Sequence, residues 1–131
     1  MTGFDVVVGG GLAAEHDTRH REFSHRWSTD GVTVKAAFTG AQLLHLAVAG
    51  CVLNDVYREA VRMGMEIRGV RVTAFGGFDT DTWESSGISY VVDVDSPASG
   101  EEQNALLEAV DSVAEIPKSI RAGTSVERVR A

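Results

Sequence analysis

With 131 residues the chain has material for one compact domain, and 44% hydrophobic against 24% charged residues is an ordinary globular balance that argues against a disordered chain. A net charge of −7 would repel nucleic-acid phosphates and an anionic membrane surface, so neither is an expected partner. Cys51 is the only cysteine, which excludes an internal disulfide, and no basic-then-apolar leader opens the sequence, so a cytoplasmic setting is expected.

Phe4 to Val8 is short and β-branched, and reads as a strand stopped by Gly9-Gly10-Gly11. The next stretch is crowded with His, Arg, Asp and Glu. Phe23 to Trp27 fits an exposed strand, and Asp30-Gly31 is a tight-turn dipeptide leading into Val32 to Phe38. Thr39-Gly40-Ala41-Gln42 then matches a capping box, and nearly every residue from Leu43 to Leu53 is apolar. A helix apolar on all sides has to be buried on all sides. Past Asn54 it turns amphipathic, with Val56, Tyr57, Ala60, Val61 and Met63 set among Asp55, Arg58, Glu59 and Arg62. Gly64 is a natural stop, giving a helix of about 25 residues, long for a chain of this size.

Glu66 to Phe75 places Val70, Val72 and Ala74 on one face and Arg71 and Thr73 on the other, the pattern of a half-buried strand. Gly76-Gly77 through Gly87 reads as a loop, and Ile88 to Val94 as the antiparallel partner. Ser99 can cap a helix from Gly100 to near Ala114, with Leu106, Leu107, Val110 and Val113 as its apolar stripe. Pro117 suits the first turn of a short last helix ending near Gly123, and Thr124 to Arg130 reads as a closing edge strand. The order implies one α+β domain over residues 1–131 with antiparallel sheet. About six short strands from one chain cannot cover a helix apolar all round, so a homodimer is expected, its long central helices wrapped by antiparallel sheets from both copies.

The segment Thr39-Gly40-Ala41-Gln42-Leu43-Leu44-His45-Leu46-Ala47-Val48-Ala49-Gly50-Cys51, together with this element order, resembles the OsmC/Ohr family (osmotically inducible protein C and organic hydroperoxide resistance). Its members carry a pattern like Asn-Pro-Glu-Glu/Gln-Leu-Leu, small apolar residues, then Ala-Ala/Gly-Cys, and later Cys-Pro-Val-Ser near the start of a short helix. Here the later motif is similar to Ile116-Pro117-Lys118-Ser119, 65 residues beyond Cys51, and the resemblance covers most of Val32 to Val129. It implies an intertwined OsmC-like homodimer and a peroxidatic thiolate at Cys51 that attacks an organic hydroperoxide. In such proteins a second cysteine resolves the sulfenic acid, and an Arg and a Glu orient the thiolate. At those positions this chain has Ile116 for the second cysteine and Ala41, followed by Gln42, for the Glu. Arg19, Arg21 and Arg26 are candidates for the Arg. The implied activity is a one-cysteine hydroperoxide reductase that needs an external thiol to reset it, with no cofactor and no metal. The alternative is a non-catalytic protein that holds a small apolar ligand in the dimer-interface pocket.

Read from the residues alone, a thiol in the middle of an apolar helix is pushed toward its neutral form by desolvation and lies too far from the helix start for the dipole to help. Asn54, Asp55 and Arg58 share roughly its face, with Arg58 placed to pair with Asp55 rather than to activate the sulfur. Phe4 to Ala14 mimics a dinucleotide fingerprint through Gly9, Gly11 and Ala14, but the polar stretch Glu15 to Glu22 that follows lacks the apolar face such a helix needs. His16, His20 and His25, with Glu15 and Asp17, could supply metal ligands or simply face water. His45, alone in an apolar run, reads as a hydrogen-bonded core histidine, or in a dimer as a pocket residue. Trp27 and Trp83 could line a cavity.

Overall fold

The computed structural model describes residues 4–17 and 19–130. In chain order it contains β1 (Val6–Gly11), β2 (Arg21–His25), β3 (Ser28–Lys35), α1 (Gly40–Met63), β4 (Gly69–Phe78), β5 (Ser85–Asp95), α2 (Gly100–Val113) and α3 (Glu115–Ala122). The five strands form one sheet in the order β2-β3-β1-β4-β5, antiparallel at every pairing. This is the expected α+β class. Strand alternation places Val6, Val8, Val32, Val34, Val70, Val72 and Ala74 in the core, where α1 meets them with Ala49, Val52, Leu53, Val56 and Ala60. Leu106 and Val110 of α2 close the same cluster. Each such Val or Leu contributes roughly 1.5–3 kcal/mol by leaving water, which is why the alternation fixes the strand faces.

The ends of α1 fall where its sequence puts them. Thr39 is extended (φ −138°), its hydroxyl accepts the Gln42 N–H at 3.2 Å, and it donates to the Gln42 side-chain oxygen at 3.0 Å. The Gln42 amide therefore holds the cap hydroxyl. Gly64 takes the left-handed conformation (φ 68°) that ends helices at glycine. At α2 the box is complete, with Ser99 and Glu102 each satisfying the other's backbone N–H.

Five expectations are corrected. Gly76-Gly77 and Ser85 to Gly87, expected within a loop, belong to β4 and β5, which pair as far as Phe78 and Ser85. Gly9-Gly10-Gly11 does not stop β1; it forms the strand's second half, paired with β3 on one side and β4 on the other. A side chain at Gly9 would run into the Ala13 carbonyl, because the chain folds back over the strand there, so these glycines allow close backbone approach. Their ladder bonding also removes the phosphate-binding turn that a dinucleotide site requires. Asp30-Gly31 is not the hairpin turn. The chain reverses at Arg26-Trp27, and Gly31 (φ 77°) lies within β3 beside the register shift between Phe23 and His25. Val113, the last residue of α2, is 36% exposed, and the residue after it, the extended C-cap Ala114, is fully buried instead. Finally, Thr124 to Arg130 forms no strand. Val126 is 97% exposed, and it and Val129, three residues apart, point to opposite faces of any strand, so the segment has no apolar side to lay on the sheet.

In the single chain α1 is not covered all round. His45, Val48, Ala49 and Val52 are buried, but Leu43 is 38% exposed and Ala47 is open to solvent. Phe23 and Phe38 are exposed nearby. Among the described residues no helix is long and apolar enough to cross a membrane.

Candidate functional site around Cys51

Cys51 is 8% exposed, on the side of α1 that meets the start of α3. Burial pushes its thiol up. The backbone N–H groups at the start of α3, that of Ile116 and more weakly that of Glu115, pull the other way, as a helix start does for a thiolate. The carboxylates of Asp55 and Glu115 add to burial. Burial wins, so the sulfur rests as a thiol at neutral pH. The first turn of α3 at Ile116 is therefore what Cys51 faces, across 65 residues of sequence.

Two carboxylates on α1 are buried that amphipathic spacing alone left unremarked. Asp55 and Glu59 are each 4% exposed, and each has an arginine three residues on: Arg58 Nη2 lies 3.1 Å from Asp55 Oδ2, and Arg62 Nη1 lies 3.1 Å from Glu59 Oε1. Asp55 Oδ2 nonetheless makes no aligned hydrogen bond. Burial outweighs the Arg58 guanidinium and raises the Asp55 carboxyl above its ordinary range, with Glu115 and Glu59 adding to the effect. The repeated Asp/Glu-x-x-Arg spacing was the signal in the sequence. As expected, Arg58 is engaged with Asp55, and it is not among the leading influences on the sulfur itself.

Between α1, β5 and α3, a cavity of about 300 Å³ is lined by Val48, Ile88, Tyr90, Pro117, Ile120 and Arg121, among others. Val48 lies one turn before Cys51, and Pro117 follows Ile116. Asp111 ties the rim together, accepting from the Tyr90 hydroxyl and from Arg121 Nη2 at 2.8 Å. Those bonds hold the Asp111 carboxyl below the usual range, while burial and then the bond to Asp111 push the Tyr90 phenol up to about 12. A depressed carboxyl stabilises the fold at any pH above the ordinary carboxylate value and loses that contribution as pH falls through its folded value. Acidification is therefore expected to loosen α3 from α2 before the core melts. Amide exchange on α3, followed as pH is lowered, checks this; Asp111→Asn should abolish the acid step.

The remaining candidates separate. The His45 ring donates from Nδ1 to the Ala41 carbonyl at 2.6 Å, and the ring is fully buried between Phe4 and Phe78. It is a core histidine. Arg19 pairs with Asp17 at 3.2 Å, Arg26 stacks over Trp27, and Arg19 and Arg21 line a separate groove with Phe23, Phe38, Leu43 and Leu46. None of these arginines is among the leading influences on the Cys51 sulfur. Of the histidines, His16 bonds Glu22 and His25 bonds Asn54 at 2.7 Å. His20 alone joins Glu15 (3.2 Å) and Asp17 (2.7 Å), and those carboxylates are also paired with Arg71 and Arg19. The three offer ligand atoms within 4.8 Å of one another, but each is already committed to a protein partner. Trp27 sits at the β2–β3 turn and Trp83, 74% exposed, near the β4–β5 turn; neither lines the cavities bordering α1.

A long helix carrying one thiol, laid across an antiparallel sheet and met at the sulfur by the first turn of a short second helix, defines the class: a small α+β protein organised around a helical cysteine. The family model described as OsmC-like protein matches residues 32–128, and the chain belongs to that family. Among solved structures, an OsmC-like hydroperoxide resistance protein from Jannaschia sp. CCS1 is similar at 15% identity, with 98% of this chain and 95% of that one covered and a TM-score of 0.56. An OsmC-like protein from Mycoplasma pneumoniae is similar at 14% identity over 80% of this chain and 89% of that one, with a TM-score of 0.60. At those identities the likeness is one of fold. No curated protein matches the sequence.

Proposed function

We propose that this chain, acting as a single OsmC-like domain in a cytoplasmic homodimer, reduces organic hydroperoxides through Cys51 alone. The observation that carries the reading is the setting of the sulfur. It lies on the central helix, against the start of α3, and Val48 one turn before it and Pro117 on α3 help line a largely apolar cavity of a size to hold a small molecule. In the reaction the Cys51 thiolate attacks the terminal oxygen of the hydroperoxide. An S–O bond forms, the O–O bond breaks, and the departing alkoxide takes a proton to leave as alcohol. Cys51 is then a sulfenic acid. With Ile116 where a second cysteine would stand, no internal disulfide can form, so an external thiol condenses with the sulfenic acid, releasing water, and a second thiol frees Cys51. No metal or cofactor takes part. Because the thiolate reacts and burial disfavours it, the rate should climb as pH rises through and beyond neutrality.

The test is to treat the pure protein with cumene hydroperoxide and weigh it intact. Gain of a single oxygen at Cys51 is expected; an unchanged mass at every pH would overturn the reading. The dimer is supported by the exposed Leu43, Ala47 and Phe38 around α1, an apolar surface that a second copy would cover. Light scattering should give twice the chain mass, and a monomer would contradict it.

The second reading is a non-catalytic protein that binds a small apolar ligand in the same cavity. What favours it is the pair of carboxylates, Asp55 and Glu115, that oppose a thiolate at Cys51. It expects ligand affinity to be unchanged in Cys51→Ser.

A further inference from the structure

Cys51 and Asp55 stand four residues apart on α1, a spacing that stacks two side chains on one helix face, and both are buried. Arg58, on the next turn, reaches back to Asp55 with Nη2 at 3.1 Å while its own side chain stays about half exposed. Asp55 Oδ2 is out of contact with water and lacks an aligned donor, so its charge is only partly compensated. From α3 the sulfur is faced by Glu115 and by the backbone N–H groups of Ile116 and Glu115; from α1, Glu59 adds a further negative charge near Asp55. Two acids one helical turn apart in a poorly solvated space resist ionising together.

We propose that Asp55 reinforces burial in holding Cys51 as a thiol, and that Arg58, by neutralising Asp55, sets how firmly it does so. The three side chains form one charge-coupled unit, in which the Asp55 carboxylate adds to the burial that disfavours a charged sulfur and Arg58 offsets the carboxylate. Asp55 is a positioning residue here, acting through the sulfur and never on the hydroperoxide. Arg58, exposed at its tip, is the part of the unit that solution conditions or an anionic ligand can reach. An anion that drew Arg58 away would leave Asp55 uncompensated and quiet the thiol. This regulation deepens the peroxidase reading and rests on it for its biological meaning, though the charge coupling itself is measured without any peroxide.

The experiment follows the ultraviolet absorbance of the thiolate as the intact protein is titrated with base, with Cys51→Ser as the blank. In Asp55→Asn, which keeps the shape and removes the charge, the thiolate transition should move down by roughly one pH unit, about tenfold more thiolate at neutral pH. In Arg58→Gln it should move the opposite way. Coincident transitions in the wild type and Asp55→Asn, or an Arg58→Gln curve that does not move upward, would overturn the proposal. Should Asp55→Asn fail to fold, the Arg58→Gln curve alone decides, since that residue is partly exposed and its loss leaves the core intact. Shifted transitions in a protein that cumene hydroperoxide never oxidises would sink the peroxidase reading and leave the coupling standing.

Discussion

Leu53→Ala is expected to cost about 2–5 kcal/mol of stability, one of the two largest effects foreseen for a single substitution. Leu53 is among the largest fully buried side chains, lying in the cluster that α1 makes with Val8, Val32 and Val70. Truncating it removes apolar contact from both helix and sheet, and a close-packed interior relaxes only in part around the void. Urea unfolding should show a lower midpoint with an unchanged slope, since the amount of surface exposed on unfolding stays the same. A loss under about 1 kcal/mol would mean that this stretch of helix is not packed on the sheet as described.

The second large effect is a gain. Ile116→Cys is expected to create an internal disulfide with Cys51 when the protein meets a hydroperoxide. The backbone at Ile116 is one of the groups that act on the Cys51 sulfur, which sets position 116 close to it, and a disulfide forms where the two Cα atoms come within about 4.4–6.8 Å. Under the proposed one-cysteine reaction the wild type would stop at the sulfenic acid until an external thiol arrives; the variant should proceed to the disulfide and become resistant to over-oxidation. Mass spectrometry of the peroxide-treated variant checks this through loss of two hydrogens and a peptide cross-link between the segments around Cys51 and Cys introduced at 116. A variant that accumulates free sulfenic or sulfinic acid instead would show that the two positions do not meet.

Much of the fold was legible because its signals are local. Thr39 and Gly64 mark the ends of α1 by cap chemistry alone, Ser99 does the same for α2, and the Val70-Val72-Ala74 alternation fixes the inward face of β4. What misled were residues whose role depends on distant chain. Gly9 to Gly11 carry the composition of a turn, and only the two strands that flank them, β3 and β4, make them a strand. Asp30-Gly31 has turn chemistry, yet Gly31 uses its positive φ inside β3. The valines of Thr124 to Arg130 suggested a strand, but their spacing provides no single apolar face.

The site was legible in the same uneven way. Cys51 stood out as the lone cysteine on an apolar helix, and the pairing of Arg58 with Asp55 followed from spacing. The burial of Asp55 and Glu59 did not, because charged residues past Asn54 read as a solvent face until α2 and α3 are folded against it. Nor did the cavity, whose walls come from α1, β5 and α3 together. Tyr90, Asp111 and Arg121, which close its rim, lie far apart in sequence and carry no motif.

The most direct measurement is the rate at which the purified protein consumes cumene hydroperoxide in the presence of an excess of small thiol, compared with Cys51→Ser under the same conditions. Consumption that depends on the protein, increases with pH and vanishes in Cys51→Ser is the predicted result. Equal rates for the two proteins, or none for either across the pH range, would contradict the assignment of Cys51 as the reacting group.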